Sequence, residues 1–320
     1  MKQTEGVKAL VYDCACLTAE ESVLILSDTS TQSIGEVVTE VCLETTPHVT
    51  HEILPPLATH GVEPSEKIAD LMFHANVVFC LTSFSLAHTQ ARKEANKNGS
   101  RFLSLPNYSW DVLTSPAMAA NFKGQKPLCD TLSDRLTQGT QIKITSLQGT
   151  QLELDVSQRI GNSAPGICSE KGTLGSPPDI EVNIAPLENS AHGIAVIDGS
   201  VPVPELGLLD EQITLTLEEG RIVKIEDGIE ADILRKILEK ENNPKVYIPG
   251  ELGIGLNPLS KLCGRMLEDE GALGTVHLGF GSNSTIGGEN KVSFHIDMVM
   301  KDVTVFIDGK EILKEGQVCF

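Results

Sequence analysis

Aromatic residues are scarce in this chain, at 4% of 320 positions, so its core must be filled mainly by aliphatic side chains. No stretch approaches the roughly 20 apolar residues needed to cross a bilayer. The opening Met1-Lys2-Gln3-Thr4-Glu5 has no apolar leader. A cytoplasmic protein with no membrane partner is the expectation. Clustered Lys and Arg are missing too. With 25 basic against 44 acidic residues, the formal charge is −19, which argues against a phosphate-binding surface and so against nucleic acid. Strong negative charge suits cations or cationic substrates, and it also simply maintains solubility. The eight cysteines form no Cys-x-x-Cys pair, and the i, i+2 spacing of Cys14 and Cys16 is not that of a zinc knuckle. They read as small buried hydrophobes in a reducing compartment. No Gly-x-Gly-x-x-Gly follows any strand candidate, so nothing beyond element rhythm supports a dinucleotide fold.

What is present is an α/β pattern followed by an α+β pattern. Strand candidates at 22–26, 49–54, 76–81 and 101–105 alternate with helical spacing at 31–44, 65–72 and 86–98, the last stopping at Gly99. The continuous apolar run at 76–81 is of the kind buried on both faces of a parallel sheet. This rhythm predicts an N-terminal open parallel sheet domain over 1–135. Beyond it, 141–145 and 151–156 alternate polar and apolar around Gln148-Gly149-Thr150, like a hairpin. Strands are expected at 193–197, 212–217, 221–226, 274–280, 291–298 and 303–307. Amphipathic helices are expected at 231–241 and 258–270. These form a second domain over 136–320.

That second domain holds the most telling residues. Two histidines and an aspartate, His277, His295 and Asp297, lie within 21 residues. In a strand, residues i and i+2 share a face, so His295 and Asp297 stand side by side. Such a pair either holds one divalent cation or is merely hydrogen-bonded to itself. A metal site needs further ligands, and Glu181 and Glu251 are the candidates. Glu251, in the glycine-rich turn Pro249–Gly255, would be partly desolvated there, needing a cation or a donor in compensation. Backbone capping is its alternative role. Glu181, in the alternating run Asp179-Ile180-Glu181-Val182-Asn183-Ile184, reads on pattern alone as a solvated residue near a strand edge. Glycines at 279, 281, 287 and 288 bracket the loop between the histidine strands. They permit either a long hairpin turn or close backbone approach to a ligand.

Several motifs then occur in order. They are the run 178–193 with Asp198-Gly199 after it, Glu251-Leu252-Gly253-Ile254-Gly255-x-Asn257-Pro258, Gly274-Thr275-Val276-His277, Gly287-Gly288-x-Asn290, His295-x-Asp297 and Asp308-Gly309. Together they resemble the thermophilic metallo-aminopeptidases of the aminopeptidase T and S type, and their shorter relatives, the 2,5-dihydroxypyridine ring-cleaving dioxygenases. The resemblance runs from about residue 75 onward. In the aminopeptidases two metal ions are held by two glutamates, two histidines, an aspartate and a tyrosine. Glu181, Glu251, His277, His295 and Asp297 fall on five of these positions, but no Tyr occurs between 248 and 320. In the dioxygenases one ferrous ion is held by Glu, His and Asp, matched here by Glu251, His295 and Asp297. The run from Thr82 through Phe84 to His88-Thr89, with Ala91-Arg92 following, also resembles the dioxygenases. It offers His88 as an acid/base, or else as a surface residue at a helix start. Five matched positions favour a metal-dependent hydrolase that releases N-terminal residues from short peptides, with Zn, Co or Mn as metal and Glu181 and His88 as catalytic residues. A non-haem Fe(II) dioxygenase acting on a small molecule is the alternative, and an inactive binding protein is a third. The resemblance also implies a homodimer.

Overall fold

The structure is a computed structural model and describes residues 1–57 and 59–319. The chain forms two compact units, Met1–Gly124 with Ala164–Pro178, and Gln125–Ser163 with Asp179–Phe320. This partition differs from a single division at 135/136. A helix, Phe122–Gln138, runs through that position, and the segment 164–178 returns to supply the first unit's last strand.

The first unit is built on a five-stranded parallel sheet. Its strand order is Val49–Leu54, Val23–Asp28, Val77–Leu81, Arg101–Ser104 and Leu174–Gly175. Val23–Asp28 and Val77–Leu81 are buried at every position, as expected for central strands covered on both faces. Leu24, Leu26, Val78, Cys80 and Phe102 pack with Ile68 and Met72 of the helix Glu66–His74 in one apolar cluster. Ser65 starts that helix by accepting the Ile68 N–H, a standard N-cap. The next helix, Gln90–Lys97, begins later than its apolar spacing suggests. Residues 82–89 form a turn, and the Thr89 hydroxyl caps Arg92 N–H.

The second unit carries two antiparallel sheets. The eight-stranded sheet has the order Arg221–Glu226, Ile213–Glu218, His192–Ile197, Gln151–Asp155, Gln141–Thr145, Thr304–Ile307, Lys310–Lys314, Gln317–Val318. Its hairpin Gln141–Thr145/Gln151–Asp155 buries alternate residues, as the pattern predicts. The helix Gly228–Lys240 turns Ala231, Leu234 and Leu238 inward. The seven-stranded sheet has the order Gly207–Leu208, Ser200–Val201, His295–Met300, Val276–Gly281, Pro249–Gly255, Glu181–Ile184, and a short edge strand that begins at Asn162.

Three expectations fail locally. Of the helix expected at 258–270, only Met266–Asp269 is helical. The Asp269 carboxylate accepts from the Cys263 and Gly264 N–H groups, and Gly264 sits at φ +78°, so the backbone turns instead of coiling. Residues 291–294 are irregular, and the strand begins at His295. Glu251 lies inside a strand, not a turn, with Glu181–Ile184 paired on one side and Val276–Gly281 on the other.

Candidate metal centre

Strand register in the seven-stranded sheet puts all five expected ligands on one face. Gly255 pairs with Glu181, Gly253 with His277, and Gly279 with both Glu251 and Asp297. Cross-strand partners share a face, and so do residues two apart. Glycine therefore stands opposite an acid or imidazole at each rung, and the absence of a side chain is what lets the functional groups converge. A Cβ on Gly253 would meet the His277 ring at 2.1 Å. One on Gly279 would meet the His295 ring at 2.7 Å and Asp297 Oδ1 at 2.8 Å.

The resulting distances are short. His277 Nε2 lies 3.3 Å from Glu181 Oε2 and 4.0 Å from Glu251 Oε1. His295 Nε2 lies 3.5 Å from Glu251 Oε2 and 3.1 Å from Asp297 Oδ1. Two triads result, Glu181–Glu251–His277 and Glu251–His295–Asp297, each with ligand atoms within 4.8 Å of one another. They share Glu251. His277, Glu181 and Asp297 are buried, Glu251 is half-buried, and about a third of the His295 side chain (34%) remains open.

Partners outside the cluster fix these groups. His295 Nδ1 is 3.1 Å from the Ser282 carbonyl. A carbonyl can only accept, so Nδ1 carries the proton and Nε2 is the atom turned to Asp297 and Glu251. Asn162 Nδ2 donates to Asn183 Oδ1 at 2.9 Å, and Asn183 Nδ2 donates to Glu181 Oε1 at 2.6 Å. Glu181 Oε2 is left facing His277 with no hydrogen-bond partner. His277 Nδ1, Asp179 Oδ1 and Glu270 Oε1 are likewise enclosed and without a hydrogen bond.

Electrostatics shows how strained this cluster is without a counter-charge. Burial raises Glu181 to about 7, against the hydrogen bond from Asn183. Burial and then the Glu181 charge raise Glu251 to about 7. Burial holds Asp179 and Glu270 well above the usual carboxylate range, with the charges of Glu181 and Asp297 respectively adding to it. Asp297 goes the other way. Burial opposes its ionisation, but the charge and hydrogen bond of His295 outweigh that and hold it well below its ordinary value. His295 rises to about 10 because the Asp297 and Glu251 charges outweigh its burial. A proton on His295 Nε2 thus occupies the gap between imidazole and carboxylates. A divalent cation fits the same gap, supplying more positive charge to the same donor atoms. Imidazole nitrogen with carboxylate oxygen is a donor set suited to first-row metals, so the residues fit a metal ion.

Asp179, Asn162, Asn183 and Glu270 were not among the expected site residues. Asp179 and Asn183 were readable, since the alternation around Glu181 puts all three on one face. Asn162 and Glu270 carry no such signal. His88 lies in the first unit, exposed, one residue before the cap of Gln90–Lys97.

The profile of the family NicX, 2,5-dihydroxypyridine 5,6-dioxygenase, matches residues 14–320. The chain belongs to this family. It is 27% identical over 243 residues to the 2,5-dihydroxypyridine 5,6-dioxygenase of Pseudomonas putida KT2440, covering 73% of this chain and 68% of that protein. Among solved structures, the 2,5-dihydroxypyridine dioxygenase from Pseudomonas putida KT2440 superposes with a TM-score of 0.86 at 22% identity, over 99% of this chain and 96% of that one. Wild-type AmpT from Thermus thermophilus superposes at 0.71 with 13% identity, over 99% of both chains. At such identities the two structures establish the fold, a mixed α/β architecture with one parallel and further antiparallel sheets.

Membership of the NicX family overturns the expectation of a peptide hydrolase, and with it the terms aminopeptidase and metalloprotease. The reason the residues misled is physical. Imidazole and carboxylate donors on one sheet face suit a hydrolytic metal as well as a ferrous ion, so the donor types did not decide between the two chemistries.

Proposed function

We propose that this chain is a non-haem Fe(II) dioxygenase that opens the ring of 2,5-dihydroxypyridine or a closely similar dihydroxylated heteroaromatic. The observation that carries the reading is the convergence of Glu251, His295 and Asp297 within 4.8 Å in a chain of the NicX family. One imidazole and two carboxylates would hold a ferrous ion as a three-ligand set of the kind non-haem oxygenases use. The iron supplies the one-electron chemistry by which dioxygen reacts with a spin-paired ring.

The chain's own groups do the rest. Glu251 and Asp297 neutralise a dication with their two charges. The Ser282 carbonyl keeps the His295 proton on Nδ1 and its lone pair on Nε2. The aliphatic side chains of Leu252, Leu278 and Met298, all fully buried, back the ligand strands and hold them stiff. Glu181 lies outside the three-ligand set. With its Oε2 free of hydrogen bonds and its acidity near neutrality, it is suited to hold or release a proton during turnover. The Thr82–Thr89 resemblance supports His88 as an acid/base of the reaction.

The test is to load the protein with Fe(II) without oxygen, then add 2,5-dihydroxypyridine and dissolved O₂. The expected result is one O₂ consumed per ring and a product 32 mass units heavier. Full iron loading with no oxygen uptake on this or related dihydroxypyridines would refute the proposal. The His88→Ala variant is expected to keep its iron and lose about 100-fold or more in turnover, in line with a general acid/base.

A further inference from the structure

The loop between the two histidine strands is tied down from outside by an ion pair. Asn283, fully buried, accepts the Asn290 N–H at 2.8 Å and donates to Glu188 Oε1 at 2.9 Å. Asn290 donates to the carbonyls of Gly281 at 2.7 Å and Lys245 at 3.0 Å. Glu188 Oε1 also accepts the Glu289 N–H at 2.7 Å, and its Oε2 pairs with Arg159 Nη2 at 2.7 Å. The other arm of Arg159 donates to the Gly287 carbonyl. One carboxylate and one guanidinium thus grip the loop at Asn283, Gly287 and Glu289. The residue next to Asn283 is Ser282, whose carbonyl receives the His295 Nδ1 proton and whose N–H is bound to Phe294 O at 2.9 Å.

We propose that Glu188 is a positioning residue for His295. Through Asn283 it fixes the Ser282 carbonyl, and that carbonyl sets both the tautomer and the rotation of the imidazole. The alternative, that the grip merely finishes a surface loop, leaves unexplained why the one loop side chain that Glu188 binds, Asn283, is buried beside the carbonyl that orients the metal-facing ring. Glu188 touches neither the ion nor its ligands, so its influence travels by one amide and one carbonyl. The inference rests on the metal-centre reading above. It concerns affinity for the ion and can be read without any turnover.

The experiment compares Glu188→Ala and Glu188→Gln with the parent protein. It measures the Fe(II) dissociation constant by anaerobic chelator competition, and the visible spectrum of the Co(II)-loaded forms. Glu188→Ala is expected to weaken Fe(II) about 10-fold, the size seen when a hydrogen bond behind a metal ligand is lost, and to shift the Co(II) bands. Glu188→Gln keeps an oxygen for Asn283 and is expected to recover most of the loss. Three results would each overturn the inference. They are an alanine variant within twofold of the parent, weakened binding with unchanged Co(II) bands, or a glutamine variant no better than alanine. If Glu188→Ala does not fold, Arg159→Lys loosens the same grip at Gly287 and is held to the same affinity and spectral criteria. His295→Ala, run alongside, separates the two levels. If it leaves the affinity untouched, the metal centre itself is wrong. If it abolishes binding while Glu188→Ala changes nothing, only the positioning role is wrong.

Discussion

At the scale of single residues, the centre turns on which atoms hold protons. His295 has one ring nitrogen committed to a carbonyl and the other to carboxylates. Its replacement by alanine is expected to abolish tight metal binding and leave the fold intact. Metal analysis after anaerobic loading, with circular dichroism beside it, checks both halves. Asn183 has a subtler effect. Its amide hydrogen bond favours the ionised carboxylate and pulls the Glu181 pKa down, against burial, which pushes it up. The Asn183→Ala variant should therefore hold the Glu181 proton to higher pH. A lost hydrogen bond of about 1 kcal/mol corresponds to a shift of roughly 0.7 pH unit. The alkaline displacement should show in the pH profile of oxygen uptake, and an unmoved profile would remove Glu181 from the proton chemistry.

At the scale of elements, glycine placement in the sheet decides whether ligands can meet. Gly279 pairs with Glu251 on one side and Asp297 on the other. The methyl group of a Gly279→Ala variant would intrude on the His295 ring and on Asp297 Oδ1 together. Overpacking of this kind costs about 1–3 kcal/mol. Here the expected consequence is a 10-fold or greater loss of metal affinity with a smaller loss of stability. Titration calorimetry with a redox-inert dication, set against urea unfolding, separates the two. Much of this was open to reading in the sequence. Period-two spacing placed His295 beside Asp297. The parallel strand at 77–81 stood out as a continuous apolar run, and those at 49–54 and 101–104 because Pro47 and Pro55, and Gly99 and Pro106, bracket them. Glu251 was harder, since a run of glycines imitates a turn when the reason for the glycines is an imidazole on the next strand. The helix expected at 258–270 failed because the Asp269 carboxylate takes up the N–H groups of Cys263 and Gly264, six and five residues back, and ties that segment into a turn. Asn162 and Glu270 reach the cluster only through the fold, so no local pattern marks them. The chemistry was the least legible of all, because the same imidazole and carboxylate donors suit either a hydrolytic or an oxidative metal site.

At the scale of the whole molecule, the acidic cluster ties stability to pH and to metal. Glu181 and Glu251 have folded-state values near 7, raised from an ordinary 4.5. A carboxyl group with a raised value stabilises the fold only while protonated. The contribution is present below about 4.5 and is lost as pH climbs through 7. His295, raised from 6.5 to about 10, acts in the same sense, its contribution being fully present below about 6.5 and lost as pH climbs through 10. The metal-free protein should therefore melt at progressively lower temperature between pH 5 and pH 8. Added dication should restore it, and by more at pH 8 than at pH 5, because bound metal replaces the lost protons. Differential scanning calorimetry with and without a chelator at both pH values gives the answer. A metal-free melting point that rises over this interval would contradict the assignment of Glu181 and Glu251 as enclosed carboxyls. No helix among the described residues is long and apolar enough to cross a membrane.

The order in which the ligand strands occur along the chain has a further consequence during synthesis. Glu181 leaves the ribosome 116 residues before Asp297, and the strand that carries His295 is inserted between partners made earlier, Ser200–Val201 and Val276–Gly281. Until translation has passed Met300, a nascent chain has an open seam in this sheet and lacks two of the five clustered residues, His295 and Asp297. On the proposed reading, metal capture is a late event in biogenesis, and depletion of the metal should reveal itself as protease-sensitive, full-length polypeptide rather than as stalled fragments.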